Sequence, residues 1–223
     1  MTAPRFVTFE GLDGSGKTSH LRRAAAALER GGVALRVTQQ PGGTSTGERI
    51  RTVFLDDTPL DPLTELLLLF ADRRQLLTEV VDPTLAAGQV LLCDRFTDST
   101  YAYQGAGRGV PVSLIDAVDR LATGGRRPDR TVLFDLPPEL ARERSRSPKR
   151  RVAGGGGVNR FDEEELEFYR RVRQGYLELA AREPERFRVV DSSGERAETI
   201  RQVAEALSDL LQPAAWEWVE VAS

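Results

Sequence analysis

An eight-residue glycine-rich segment near the N-terminus has the composition and spacing of a phosphate-binding loop. It fits the pattern G-x-x-x-x-G-K-[ST] and consists of Gly11, Leu12, Asp13, Gly14, Ser15, Gly16, Lys17 and Thr18. Glycines let successive backbone N–H groups face phosphate oxygens, the lysine extends to the β- and γ-phosphates, and the threonine hydroxyl ligates Mg²⁺. The segment therefore predicts a site for ATP or another nucleoside triphosphate with Mg²⁺. A glycine-rich turn without a ligand is the alternative.

The elements that must position this loop alternate along the chain. Five β-rich segments, at 5–10, 33–38, 89–93, 131–136 and 187–191, are separated by helical periods. Such alternation predicts an α/β fold, with a five-stranded parallel sheet and helices on both faces. Two helices show apolar faces, formed by Leu21, Ala24, Ala25 and Leu28 in the first and by Leu63, Leu66, Leu67 and Phe70 in the second. The length of 223 residues is typical of a single domain.

Composition excludes several classes of protein. No apolar run reaches the roughly 18 residues of a membrane span, and no signal peptide is visible, so we expect no membrane partner. Cys93 is the only cysteine, which excludes an internal disulfide and favours the cytoplasm. With His20 as the only histidine, Ser-His-Asp catalysis and histidine-rich metal sites are improbable. The net charge of −3 gives no overall attraction to nucleic acid, and we expect none as a partner.

Four later segments distinguish among the proteins that share this loop. They are TQQPGGT at 38–44, LLLLFADRRQ at 66–75, DRF at 94–96 with DSTYAYQG at 98–105, and RPD at 127–129. Together with the loop, they resemble the motif set of the bacterial thymidylate kinases, which carry R-E-P-G-G-T, F-A-A-x-R, D-R-Y-x-x-S-x-x-A-Y-Q-G and R-P-D in this order.

The resemblance implies a P-loop NTPase fold and a nucleoside monophosphate kinase. The implied reaction moves the γ-phosphate of ATP to dTMP, giving ADP and dTDP for dTTP synthesis. It implies Mg²⁺ as cofactor and a homodimer as the assembly.

Roles follow residue by residue from the same resemblance. Lys17 and Arg95 would stabilise the transferring phosphate, Asp13 would orient the acceptor sugar, and Thr18 and Asp94 would hold Mg²⁺. The dTMP-binding set would be Asp13, Arg51, Phe70, Arg73, Arg95, Ser99, Thr100, Tyr103 and Gln104. Structural alternatives are a turn-forming Asp13, a local Asp94–Arg95 ion pair, a solvated Arg51 and a core Tyr103.

Two departures from the family pattern fall in the acceptor site. Gln39-Gln40 replaces the family's Arg-Glu, with the loss of both charges. Leu69 stands where the family has a phenylalanine against the thymine. Either Phe70 supplies that ring after a small rotation of the helix, or Arg74 takes the place of Arg73.

A basic run at 142–151 contains six Arg or Lys residues and one Glu, followed by four glycines at 154–157. We interpret about 142–159 as a mobile, arginine-rich lid that closes over ATP, with Arg144 and Arg150 as candidate catalytic arginines. A solvated basic loop and a nucleic-acid patch are the alternatives. The extra tail at about 213–223 carries Trp216 and Trp218, and its role is open.

Three rival functions remain at this point. A kinase for another nucleotide or a deoxynucleoside would differ only in acceptor specificity. A GTPase switch would require a guanine-specifying N-K-x-D, which the sequence lacks. A nucleic-acid-binding protein would use the basic run and bind with a steep salt dependence.

Overall fold

The computed structural model describes residues 5–56, 59–145 and 160–208. Its centre is a five-stranded parallel sheet with the strand order β2-β3-β1-β4-β5. The strands are β1 (Arg5–Gly11), β2 (Leu35–Gln39), β3 (Val90–Asp94), β4 (Arg130–Asp135) and β5 (Phe187–Asp191). All four neighbouring pairs are parallel. The predicted fold class is confirmed, and each strand begins and ends within two residues of the sequence prediction.

Helices connect the strands. They are α1 (Lys17–Arg30), α2 (Ser45–Phe54), α3 (Pro62–Leu76), α4 (Asp82–Ala86), α5 (Thr97–Thr100), α6 (Val112–Thr123), α7 (Pro138–Ser145), α8 (Arg160–Arg182) and α9 (Arg196–Leu207). Two π-helical stretches, Leu77–Val81 and Tyr101–Gly107, continue α3 and α5. The start of α3 has a clear sequence cause: the Asp61 side chain accepts hydrogen bonds from two free N–H groups, and Pro62 follows it.

The sheet is covered on both faces because its strand residues alternate between them. On one face, Val7 and Phe9 pack against Leu21 and Leu28 of α1 and against Val203 of α9. On the other face, apolar residues contact α8 and the end of α3 with its π-helical extension. The predicted apolar face of α1 is confirmed, since all four of its residues are buried.

The predicted apolar face of α3 is only half buried. Leu66 and Phe70 lie in the core, whereas Leu63 and Leu67 are 44% and 51% exposed. The helix is apolar around most of its circumference, so a periodicity argument could not choose which side faces the core.

Strand register gathers the chemistry-bearing residues at one edge of the sheet. Phe9 pairs with Asp94, Gln39 pairs with Asp94 on the other side, and Gly11 pairs with Phe134. The phosphate loop and the segment after β3 therefore leave the sheet side by side, at the carboxyl ends where ligands bind in such folds.

Residues 146–159 of the predicted lid and the whole predicted tail lie outside the described residues. Residues 142–145 form the end of α7. Within the described part of the chain, no helix has both the length and the apolar character needed to cross a membrane.

Candidate active site

The phosphate loop has the backbone geometry that its glycines allow. Gly11 and Gly14 have φ values of 139° and 84°, which residues with a Cβ atom rarely adopt. A Cβ atom on Gly11 would lie 2.5 Å from the Phe134 carbonyl oxygen, and one on Gly14 would lie 2.6 Å from that of Ala141. The loop is thus held tightly between β4 and α7, and it leads directly into the N-terminus of α1.

Two charged side chains of the loop lie close together. Lys17 is buried, and its Nζ atom is 3.5 Å from Asp13 Oδ1. Burial and the positive charge of Arg95 lower the pKa of Lys17 to about 8. Burial would raise the pKa of Asp13, but the charges of Arg95 and Lys17 outweigh it and lower that pKa to about 2. Asp13 is therefore ionised at neutral pH and bridges the two cations.

Thr18 and Asp94, the residues predicted to hold Mg²⁺, are in direct contact. The Thr18 hydroxyl donates a hydrogen bond to Asp94 Oδ2 at the end of β3. This bond leaves lone pairs on the threonine oxygen, so the two residues present a small set of oxygen donors beside the phosphate loop.

Arg95 connects the phosphate loop to the acceptor side of the site. Its Nη2 atom donates to Asp13 Oδ1 at 2.8 Å and to the Tyr103 hydroxyl at 3.1 Å. Its Nη1 atom donates to Ser99 Oγ at 2.9 Å and to the Tyr176 hydroxyl at 3.1 Å. Among the described residues it is the only non-glycine with a positive φ, at 69°. A backbone conformation that is energetically unfavourable, as this one is for a non-glycine residue, is typical of functional sites.

A cavity of about 180 Å³ opens next to Arg95. Its walls come from the loop, the segment after β2, α2, α3 and the segment after β3. The lining residues are Asp13, Gln40, Pro41, Arg51, Phe54, Leu55, Leu69, Arg73, Arg95, Phe96, Ser99, Thr100, Tyr103 and Gln104.

Arg73 is a charged residue of the cavity lining and is only 1% exposed. Its Nε atom donates to Gln40 Oε1 at 2.9 Å, and its Nη2 atom donates to Thr100 Oγ1 at 2.8 Å. The guanidinium lies over the rings of Phe70 and Phe96, at 4.5 and 5.2 Å from their centroids. Its Nη1 atom is buried and has no hydrogen-bond partner among the described residues.

Eight of the nine residues predicted to bind dTMP line this cavity; Phe70 does not. The Phe70 ring packs in the core with Leu66 and Ile115 and supports Arg73 from below. Leu69 takes the place at the wall that was expected for an aromatic ring. Arg74 is exposed and does not line the cavity, so the geometry favours Arg73 of the two arginines.

The structure shows what Gln40 does at the second position of the Gln39-Gln40 pair, which replaces the family's Arg-Glu. Gln40 is buried, accepts the hydrogen bond of Arg73 and donates its own Nε2 hydrogen to the Leu69 carbonyl at 3.1 Å. A neutral amide thus holds Arg73 where the family has a carboxylate. Gln39 lies near the surface, with its Nε2 atom 3.4 Å from Glu48.

Two residues that hold Arg95 and its partners, Glu10 and Tyr176, were missed by the sequence analysis. Glu10, the acid before the loop, is fully buried and accepts hydrogen bonds from Phe96 N, Ser99 Oγ and the Tyr176 hydroxyl. Burial and the neighbouring charge of Asp98 raise its pKa to about 7. A carboxylate inside an otherwise apolar strand was a visible signal for Glu10. No local pattern singled out Tyr176, which comes from α8.

Of the two candidate lid arginines, the structure describes one. Arg144 lies at the end of α7, where its Nη1 atom donates to the Ser192 carbonyl at 2.8 Å. A Cβ atom added to Gly14 would lie 3.1 Å from the Cβ atom of Arg144, so the aliphatic part of the Arg144 side chain lies next to the phosphate loop. Arg150 lies outside the described residues.

Comparison with known proteins agrees with this geometry. The family model described as "Thymidylate kinase" matches residues 9–203. The thymidylate kinase of Desulfosudis oleivorans is 45% identical over 204 residues, covering 91% of this chain and 95% of that protein. That of Solidesulfovibrio magneticus is 47% identical over 190 residues, covering 84% and 91%.

The crystal structure of thymidylate kinase from Ehrlichia chaffeensis is similar in fold, with a TM-score of 0.73 and 33% sequence identity. The match covers 92% of this chain and 98% of that one. The family model spans residues 9–203, which include the phosphate loop, Arg95 and the cavity, and the curated relatives match most of the chain. The chain therefore belongs to the thymidylate kinase family and is a phosphotransferase that uses ATP to phosphorylate dTMP for dTTP synthesis.

Proposed function

We propose that this enzyme transfers the γ-phosphate directly to the 5′-phosphate of dTMP, with Arg95 and Asp13 aligning donor and acceptor. The observation that carries the proposal is the 2.8 Å bond between Arg95 and Asp13, which joins the phosphate loop to the cavity. Phosphoryl transfer needs positioning and charge neutralisation more than covalent chemistry. Lys17 supplies charge from the loop and Arg95 supplies it from the acceptor side. The acceptor is already an anion, so no general base is required.

Thr18 and Asp94 fit Mg²⁺, because the ion prefers oxygen ligands and keeps several water or phosphate oxygens around it. When bound, the ion neutralises charge on the ATP phosphates. The chain's own contribution is to hold the hydroxyl and the carboxylate next to each other at the loop.

The hydrogen-bond donors of the cavity support a preference for thymine. Arg73 lines the cavity and can only donate hydrogen bonds, so it suits a carbonyl oxygen on a pyrimidine and disfavours an amino group. Tyr103, fixed by Arg95, would crowd the 2′ position of a ribose. Ser99, Thr100 and Gln104 complete the polar wall.

Arg144 and Arg150 complete the proposal on the ATP side. Arg144 already lies beside the loop, although its guanidinium is bound to backbone carbonyls of the segment after β5. A role in neutralising the transferring phosphate would require it to exchange these partners when ATP binds. For Arg150 the proposal rests on the basic composition of 142–151 alone.

We also propose that two chains form a homodimer in the cytoplasm. Support comes from exposed apolar side chains on α3 and on its neighbours α2 and α6, namely Val53, Leu63, Leu67, Val112, Leu114 and Leu121. Exposed apolar side chains grouped on neighbouring helices are typical of interaction surfaces. Cys93 is a free, buried thiol, which suits a reducing compartment.

The dimer is tested by light scattering on the Leu63→Glu, Leu67→Glu double variant. We expect the mass of one chain instead of two, because burying two carboxylates would cost several kcal/mol. Val189→Glu, at an equally exposed valine on β5, is the control and should remain dimeric. A wild-type protein with the mass of one chain would contradict the assembly.

The proposed role of Arg95 is tested by Arg95→Ala. Its loss removes a charged group worth roughly 3–5 kcal/mol to the transition state, so turnover should fall by about 10²- to 10⁴-fold while ATP still binds. Arg108→Ala is the matched control, because Arg108 pairs with Glu65 and lies outside the cavity lining. Near-normal turnover of Arg95→Ala would refute the role.

A further inference from the structure

Glu10 has a set of contacts that its place in the sheet does not require. It is 0% exposed at the end of β1, and its Oε1 atom accepts the Phe96 N–H at 2.7 Å. Its Oε2 atom accepts the Ser99 hydroxyl at 2.5 Å and the Tyr176 hydroxyl at 3.0 Å. A buried carboxylate costs several kcal/mol unless its oxygens are satisfied, and these three donors satisfy it.

The same two hydroxyl groups are the partners of Arg95. Its Nη1 atom donates to Ser99 Oγ at 2.9 Å and to the Tyr176 hydroxyl at 3.1 Å. The two hydroxyl oxygens are 2.7 Å apart. Glu10 and Arg95 therefore face each other across two hydroxyl groups.

The direction of these hydrogen bonds follows from the chemistry of the groups. A guanidinium can only donate, so both hydroxyl oxygens must accept from Arg95. Each hydroxyl has a single proton, and an ionised Glu10 can only accept. At least one of the two hydroxyl protons therefore points toward Glu10, the other points toward Glu10 or the neighbouring hydroxyl, and lone pairs of both oxygens point toward Arg95.

A further bond of Glu10 acts on the backbone next to Arg95. Arg95 adopts its left-handed conformation between two N–H groups that are both hydrogen-bonded. Its own N–H donates to the Phe9 carbonyl at 3.1 Å, and the Phe96 N–H donates to the Glu10 carboxylate. One carboxylate thus fixes both the turn that carries Arg95 and the acceptors that hold its Nη1 atom.

We propose that Glu10, acting through the hydroxyl groups of Ser99 and Tyr176, is a positioning residue that sets the orientation of Arg95 for phosphoryl transfer. This proposal rests on the role of Arg95 given above. It assigns a function to Glu10 and Tyr176 and gives Ser99 a role toward Arg95 in addition to its place in the cavity wall. The site is thus organised from α8 as well as from the sheet.

Glu10→Gln is the test variant, because the amide keeps the size of the side chain. Its oxygen still accepts from Phe96 N, but its NH₂ group donates to the hydroxyls and forces them to turn their protons elsewhere. At pH 8.0 we expect kcat to fall about 10- to 100-fold, the effect of misplacing a reacting group by about 1 Å. The KM for ATP should stay within about threefold, since the ATP-side atoms of the loop are not contacted.

Asp119→Asn is the matched control, at another buried acid that is hydrogen-bonded to an arginine but makes no hydrogen bond to the Arg95 network. It should lose thermal stability without losing kcat. If Glu10→Gln behaves in the same way, with reduced stability and unchanged kcat, Glu10 is a structural residue and the proposal is overturned.

A double-mutant cycle with Arg95→Lys separates the inference from the proposed function on which it rests. If Glu10 acts through Arg95, the kcat penalty of Glu10→Gln should largely vanish in the Arg95→Lys background. If Arg95→Lys is slow but the two penalties multiply, the inference fails and the role of Arg95 stands. If Arg95→Lys alone turns over normally, both fail. Tyr176→Phe, which removes one hydroxyl, provides the same cycle should Glu10→Gln not fold.

Discussion

Lowering the pH from 7.5 to 5.0 tests the packing beneath the phosphate loop through the single histidine of this chain. His20 lies in the first turns of α1, is 7% exposed, and packs its ring 5.4 Å from that of Phe134. Burial, together with the nearby positive charges of Arg196 and Arg23, lowers its pKa from 6.5 to about 4. The folded protein therefore keeps His20 neutral at pH values where the unfolded chain protonates it.

The magnitude follows from the two pKa values. At pH 7.5 neither state binds the proton. At pH 5.0 the unfolded chain is almost fully protonated at His20, whereas the folded protein is about 10% protonated. Stability from this group is fully present above pH 6.5 and is lost as the pH falls toward 4. The loss between pH 7.5 and 5.0 amounts to about 2 kcal/mol of unfolding free energy.

Urea unfolding at both pH values, on the wild type and on His20→Phe, isolates this contribution. Phenylalanine keeps a ring against Phe134 and cannot titrate, and the carboxylates common to both proteins cancel in the difference. The wild type should lose about 2 kcal/mol more than the variant between pH 7.5 and 5.0. Equal losses in the two proteins would refute the reasoning, because His20 would then protonate alike in the folded and unfolded states.

Two further predictions concern Arg73 and the ion pair of Asp98 with Arg186. Arg73→Lys should raise the KM for dTMP about 10- to 100-fold, because lysine cannot reproduce the guanidinium's several directed donors; the exposed Arg74→Lys, assayed alongside, should leave it unchanged. Asp98→Asn should lower the unfolding free energy by about 3 kcal/mol, because it breaks a buried bidentate pair with Arg186. Glu183→Gln, at the exposed acid on the same arginine, should cost less than about 1 kcal/mol. Urea titration measures the unfolding free energies of Asp98→Asn and Glu183→Gln. Equal losses in the two variants would show that burial does not set the strength of the Asp98–Arg186 pair.

The features that could be predicted from the sequence are those that depend on short stretches of consecutive residues. The phosphate loop and the strand before it are local patterns, and β-propensity with alternating helices is enough to give the parallel sheet. Once the sheet is parallel, Lys17 and Arg95 must leave it at the same edge. The location of both residues at the same end of the sheet could therefore be predicted from topology, without knowledge of any side-chain contact.

The features that sequence could not predict depend on contacts between distant elements. Glu10 and Tyr176 are 166 residues apart and meet only because α8 crosses the sheet next to α5. Whether Leu69 or Phe70 lines the cavity depends on the rotation of α3 about its axis. Leucines lie on several sides of this helix, so its hydrophobic periodicity does not predict that rotation. Gln40 was identified as a departure from the family, but its pairing with Arg73 required both side chains in three dimensions.

The most direct test of the central claim is a coupled ADP-release assay with ATP and Mg²⁺ that compares dTMP with dUMP, dCMP, dGMP, AMP and UMP as acceptors. The account predicts that dTMP is strongly preferred and that dCMP is among the poorest acceptors, because Arg73 offers only donors where cytosine presents an amino group. Equal or better turnover with dCMP, or with a purine nucleotide, would contradict the account.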